Sequence, residues 1–371
     1  MKFIRPFKGW VVSSDSCSHV VIKHIDSYTP ETLEEELHQN PHSFLHVLAP
    51  SLFTNTELDL KERFSLVRER LIDHLYSDRY KRISQECLWM YRIHSSRVKA
   101  TGIVGITPIA SYQNGVIKKH EHTKAFRRDA LAAYLDEVGI HADPVVLALA
   151  DTKTAFKSWC SQFGMNQQPL ISLALDDEVH ELWPITDQKS IDEIQQIIEQ
   201  NNTAYIVDGH HRIESSLHWA RTNKDTHQTL SNSCFMSCFL SEDELSIRSF
   251  SKSFTTMITS AQCKEILQSY GTLRPLTDQV HPNQAHLITI NQETFSFHLN
   301  ETSRIEEVQR ALEDLPSKDS SKHEMTRLTL TPKPYTVEDL KRAAETQRPM
   351  AAKSTYIEPK LLTGLLIYPI S

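Results

Sequence analysis

The residues best placed to do chemistry stand together at Asp208-Gly209-His210-His211-Arg212. They follow the apolar run Tyr205-Ile206-Val207 and lead at once into a helical pattern, so a strand ends in one glycine and a helix begins. Such a turn aims unbonded N–H groups and the positive end of the helix dipole at one spot, where a phosphate can rest. Arg212, one turn in, carries a guanidinium fork that suits phosphate oxygens. By themselves the same residues also describe an ordinary Asp-Gly turn capped by histidines.

A second group is His120-Glu121-His122-Thr123, preceded by Lys118 and Lys119. His-Glu-x-x-His spacing would need histidine at 124, where Lys124 stands, so zinc-protease chemistry is not indicated. The plain reading is a helix start with Thr123 as N-cap and solvated charges around it. The chemical reading makes Glu121 the base that takes a proton from a substrate hydroxyl, with His120 orienting it or touching phosphate. A third group, Lys353-Ser354-Thr355 to Lys360, sets ammonium groups and hydroxyls before an apolar strand. These suit phosphate or carboxylate ligands, and equally a surface turn with solvated lysines.

Composition narrows the partners. Only nine of 371 residues are glycine, against about 26 at average usage, and no glycine-rich nucleotide loop or nucleophile elbow occurs. A nucleotide site here has to work with one glycine and a helix start. The net charge is -7, with no block of like charge, so neither nucleic acid nor an anionic membrane is an expected partner. Six scattered cysteines without Cys-x-x-Cys spacing argue against a zinc ribbon or disulfide framework. No signal peptide or spanning segment is read, and a cytoplasmic protein is expected.

The elements that would position these groups read as mixed α+β. Strands are expected at 7–12, 19–25, 44–48, 88–93, 102–109, 145–150, 171–175, 179–183, 204–207, 234–240 and 327–330. Helices are expected from Thr29-Pro30 to Asn40, over 56–78, from Thr123 to a cap at Gly139, and around 156–163, 191–198, 261–270 and 305–315. A hairpin is expected at Asn291-Gln292. With no clean boundary, the chain is read as one domain over 1–371, with a core around 100–240 and a lobe from 241 to 371.

The segment VDGHHRIESS resembles the phosphate-binding box of the ParB/sulfiredoxin-like fold. IRPFKGW at 4–10, NPHSFLHV at 40–47, GVIKKHEHT at 115–123 and KSTYIEPKLLTGL at 353–365 join it in order. On these five blocks the chain is identified as a member of the domain of unknown function 1015 family, which is similar to free L-serine kinases. The resemblance implies a ParB/sulfiredoxin-like core and a kinase that moves a phosphoryl group from ATP or ADP to the hydroxyl of free L-serine or a similar amino acid. It implies nucleotide phosphates on Asp208, Gly209, His210, His211 and Arg212, with Mg²⁺ held by Asp208 or a nearby acid. Lys353, Ser354 and Thr355 would contact the amino acid or the phosphoryl group. Asp26 is a rival to Glu121 as base, because free serine kinases use an N-terminal acid. The alternative is a nucleotide-binding, ParB-like regulator without phosphoryl transfer. A homodimer is left open. Two positions depart from the family pattern: His24-Ile25-Asp26-Ser27-Tyr28 stands where Pro-Pro-Tyr-Asp is usual, and Ser251-Lys252 where His-Arg is common.

Overall fold

The computed structural model describes residues 3–48, 58–150, 154–165, 167–222, 233–276, 285–316, 325–346, 348, 350 and 355–370. The chain is mixed α and β and divides into two compact units. Met1–Ser246, Lys341–Pro349 and Ile357–Ser371 make the larger, Ile247–Leu340 and Met350–Tyr356 the smaller.

Eight strands build the larger unit's central sheet, in the order 117–118, 204–208, 145–149, 234–241, 99–108, 88–94, 178–185 and 171–175. Only 117–118 with 204–208 and 145–149 with 234–241 run parallel. The other neighbours are antiparallel. Val145–Leu149 is buried at every position, as its unbroken apolar run requires. One core joins Leu147 and Ile206 of the sheet to Phe156 and Cys160 of helix Ala155–Met165. Ile191, Ile194 and Ile198 of helix Gln188–Glu199 and Ile213 and Leu217 of helix His210–Thr222 complete it. A second sheet orders 80–82, 10–12, 366–369 and 140–141.

Several expected helices stand where local chemistry sets them. Pro30–Gln39 is capped by Thr29, and Leu60–Leu75 by an Asp59/Glu62 capping box. Phe64, Val67 and Leu71 of the latter are buried, whereas Leu60, in its first turn, is exposed. Ala125–Val138 ends at Gly139 with φ +73°. Three expectations are corrected. The 19–25 run is not a strand: one helical turn, Cys17–Val20, leads to Ile22, which bridges to Thr363. Phe44–Leu48 contains helix Leu45–Leu48; a short run buried from Phe44 through Val47 carries no period to distinguish helix from strand. The cap of 125–138 is Lys124 rather than Thr123, and its acceptor comes from another helix.

The smaller unit is an antiparallel sheet ordered 252–256, 326–331, 286–290, 293–299 and 271–275. Its hairpin turns at Asn291, with φ +55°, where the sequence places one. Cys263 and Leu267 of helix Ser260–Gln268 and Val308 and Leu312 of helix Ile305–Glu313 pack on Ile288, Phe297 and Leu328. Lys252 pairs with Glu313 at 3.3 Å and the Ser251 hydroxyl meets that of Thr331 at 2.7 Å, both within this unit. Among the described residues no helix is long and apolar enough to cross a membrane.

Candidate functional site

Strand Ala204–Asp208 has four buried residues before Asp208, and its register against 145–149 shifts between Ile206 and Asp208. Such irregularities turn a side chain away from the regular pleat. Gly209 follows with φ +92°, and Ile213 N–H donates to Gly209 O at 3.1 Å as helix His210–Thr222 begins. A Cβ on Gly209 would fall 2.9 Å from Arg212 Nε. The arginine is therefore folded back under the turn rather than reaching outward.

What holds Arg212 there is a buried charge cluster. Its Nη2 donates to Asp208 Oδ2 at 2.6 Å, and its Nη1 to Pro144 O at 2.8 Å and to Asp143 Oδ1. Lys360 Nζ donates to Asp208 Oδ1 at 2.7 Å. His24 Nε2 stands 3.4 Å from Asp208 Oδ2 and 3.9 Å from Asp143 Oδ2. Burial alone would push the Asp208 carboxyl up. The Lys360 charge, the His24 hydrogen bond and Arg212 outweigh it and hold Asp208 well below the usual carboxylate range. Burial would likewise lower His24, but the Asp208 hydrogen bond and the two carboxylate charges raise it. Burial disfavours the Arg212 cation too, and the same two carboxylates more than restore it. Two acids thus face a guanidinium, an ammonium and an imidazole.

On the other side of the turn the two sequence-selected groups meet. Strand Ile117–Lys118 runs parallel to Ala204–Asp208, so the residues after it travel toward the same end as Asp208. The His120 and His210 rings lie perpendicular with centroids 4.5 Å apart. Both are buried, and neither Nε2 finds a hydrogen-bond partner among the described residues. Burial takes His120 down to about 4 against a backbone hydrogen bond with Ile206. Burial and His120 hold His210 well below the ordinary histidine value, against the pull of Asp208. Both rings are neutral near pH 7. His211 Nε2 accepts the Lys124 N–H at 3.0 Å and so caps helix 125–138. Glu121 is half-buried in the intervening segment. Glu214, one turn into the helix, is held by Lys119 and the Tyr112 hydroxyl.

Asp208 through Arg212, His120 and Glu121 therefore lie on neighbouring segments. The Asp26 backbone lies in the turn Ile25–Ser27, and its side chain is outside those described. Lys353 and Ser354 are outside the described residues, while Thr355 is half-buried and belongs to the smaller unit. Sequence reasoning missed His24, Asp143 and Lys360 as members of the cluster. His24 lies two residues before the acid chosen instead, and Lys360 closes a block that pointed to its first three residues. Asp143, before a proline and an apolar strand, gave no signal. As a holder of Mg²⁺, Asp208 does not fit: Oδ1 is taken by Lys360 and Oδ2 by Arg212 and His24. Among the described residues no group of three His, Cys, Asp or Glu side chains could hold a metal ion.

Fold and site together define a mixed α+β protein whose central sheet delivers a single-glycine strand-to-helix turn into a buried cluster of paired charges. The chain belongs to the DUF1015 family, described as a protein of unknown function, whose profile matches residues 4–348. No curated protein matches the chain. Among solved structures it is similar to SbnI with C-terminal truncation from Staphylococcus aureus, at 11% identity and TM-score 0.42, covering 72% of this chain and 87% of that one. It is also similar to a free serine kinase mutant in complex with ADP, at 11% identity and TM-score 0.36, covering 71% and 92%. Another free serine kinase mutant, in complex with AMP, is 12% identical at TM-score 0.37, covering 74% and 95%.

Proposed function

We propose that this protein is a small-molecule kinase with a ParB/sulfiredoxin-like core. It takes ATP or ADP with the phosphates on the helix start at Gly209, and phosphorylates the hydroxyl of free L-serine or a similar amino acid. The observation that carries this reading is the junction of the two groups chosen separately in the sequence: His120 lies 4.5 Å from His210, at the start of a thirteen-residue helix. A helix N-terminus attracts anions through its open N–H groups and dipole, and two neutral imidazoles beside it do not oppose a phosphate with charge.

In this reading the N–H groups after Gly209 hold the phosphates, and Lys360, His24 and Arg212 supply a positive field held in place by Asp143 and Asp208. Phosphoryl transfer needs mainly positioning and charge neutralisation. Glu121 takes the hydroxyl proton as the serine oxygen bonds to the terminal phosphorus. The bridging oxygen leaves with the nucleotide, giving O-phosphoserine and ADP or AMP. Mg²⁺ bound by the nucleotide's own phosphates would neutralise charge there, and Asp208 takes no part in holding it. The test is incubation with Mg²⁺, ATP or ADP and free L-serine, followed by mass spectrometry. O-phosphoserine that disappears in Glu121→Gln supports the reading, and no product with either nucleotide sinks it. Tight ADP binding without turnover would point to the non-catalytic regulator instead.

A further inference from the structure

Tyr91 sits in mid-strand among Leu88, Trp89, Met90 and Ile93, and is 3% exposed. Phenylalanine would fill this volume without a polar atom, and a buried hydroxyl is costly unless both its oxygen and its proton find partners. Here both do. Tyr91 Oη accepts the backbone N–H of Leu362 at 3.2 Å, which leaves its own proton for His180 Nδ1 at 2.9 Å. His180, also buried, then directs its Nε2–H toward Glu178 Oε2 at 3.5 Å. The relay ends two residues beyond Lys360, whose ammonium rests on Asp208.

Other bonds show what this segment joins. Thr363 exchanges backbone hydrogen bonds with Ile22, two residues before His24. Gly364 N–H donates to Ala142 O, next to Asp143, and Gly364 O accepts from the Tyr80 hydroxyl at 2.5 Å. Gly364 has φ +87°, and a Cβ there would fall 2.8 Å from Phe44 Cγ, so only glycine fits. Residues 360–364 thus join Lys360 to the backbone near His24 and next to Asp143. Tyr91 ties this segment by its side chain at Leu362, two residues from Lys360.

We propose that Tyr91 is a positioning residue of this site: its hydroxyl fixes Leu362 and so holds the Lys360 ammonium on Asp208. The geometry stands by itself, whereas its bearing on activity rests on the phosphate-site reading above. The test compares wild type, Tyr91→Phe, Lys360→Met and the double variant, by acetic anhydride labelling of lysines with mass spectrometry and by ADP calorimetry. In Tyr91→Phe, Lys360 is expected to acylate about tenfold faster, the size of one lost hydrogen bond, while Lys119 on Glu214 keeps its wild-type rate. His180→Leu, which strands the Tyr91 proton, shifts Lys360 the same way, and His180→Gln, which keeps an acceptor, restores protection. ADP affinity falls in Tyr91→Phe but falls no further when that change is added to Lys360→Met.

Lys360 protected as in wild type, or Lys360 and Lys119 exposed alike, overturns the positioning role. So does an equal loss of ADP affinity in both backgrounds. Should Tyr91→Phe fail to fold, the two His180 variants decide by the same labelling. Wild type that binds no ADP sinks the phosphate-site reading and leaves the labelling result to judge Tyr91.

Discussion

Gly209 combines two constraints in one residue. Its φ of +92° belongs to the region that side chains avoid, and the space a Cβ would take is 2.9 Å from an Arg212 guanidinium that two carboxylates and a carbonyl hold still. Gly209→Ala is therefore expected to cost about 2 kcal/mol, read from urea denaturation, and to weaken ADP binding by displacing Arg212. Asp208→Asn probes the same cluster from its acid side. The amide keeps the shape but leaves Lys360, Arg212 and His24 with Asp143 alone. Removing one partner of a buried ion pair strands charge, so a loss of about 3 kcal/mol is expected at pH 7. His24 should titrate lower in this variant, because the Asp208 hydrogen bond is the largest influence raising it. An unchanged His24 midpoint by NMR would show that Asp143 suffices.

Between elements, the helix start at 125–138 shows how the site closes on itself. No side chain of its own cap satisfies the first N–H groups, and His211 from another helix accepts from Lys124 instead. His211→Ala should cost about 1 kcal/mol, the size of a lost cap, and should speed amide exchange in the first turn of 125–138 above all. Exchange unchanged there would refute the cap. What was legible in sequence follows the same division. Strand, glycine and helix at 204–222 are local signals, as are the Thr29-Pro30 helix opening and the Gly139 stop, and each stands where the sequence indicates. Lys360 meets Asp208 across 152 residues, and that distance leaves no spacing to read. Phe44–Leu48 was illegible for the opposite reason: its first four residues are all buried, and so short a buried run looks alike in either conformation.

Across the whole molecule, buried histidines tie stability to pH. Burial takes His74, His120 and His141 down to about 4, with the Arg79 charge adding to the effect at His74 and that of Arg212 at His141. Above pH 6.5 each is neutral folded and unfolded, and full stability is present. As pH falls from 6.5 toward 4 the unfolded chain takes up protons that the folded chain refuses, so stability drops, by up to about 3 kcal/mol per site. Asp208 acts in the same direction, since a carboxyl held far below its usual range loses its contribution as pH falls through that range. His24 opposes them: its raised value makes its contribution full below pH 6.5 and lost as pH rises through the folded value. The lowered histidines, His210 among them, outweigh His24, so Tm should decline steeply between pH 6.5 and 4.5. His120→Asn, neutral throughout, should flatten part of that decline while leaving Tm at pH 8 much closer to wild type than at pH 4.5. An unaltered slope in this variant would mean that His120 is reached by protons in the folded state, and would end the picture of a buried, neutral imidazole pair beside the helix start.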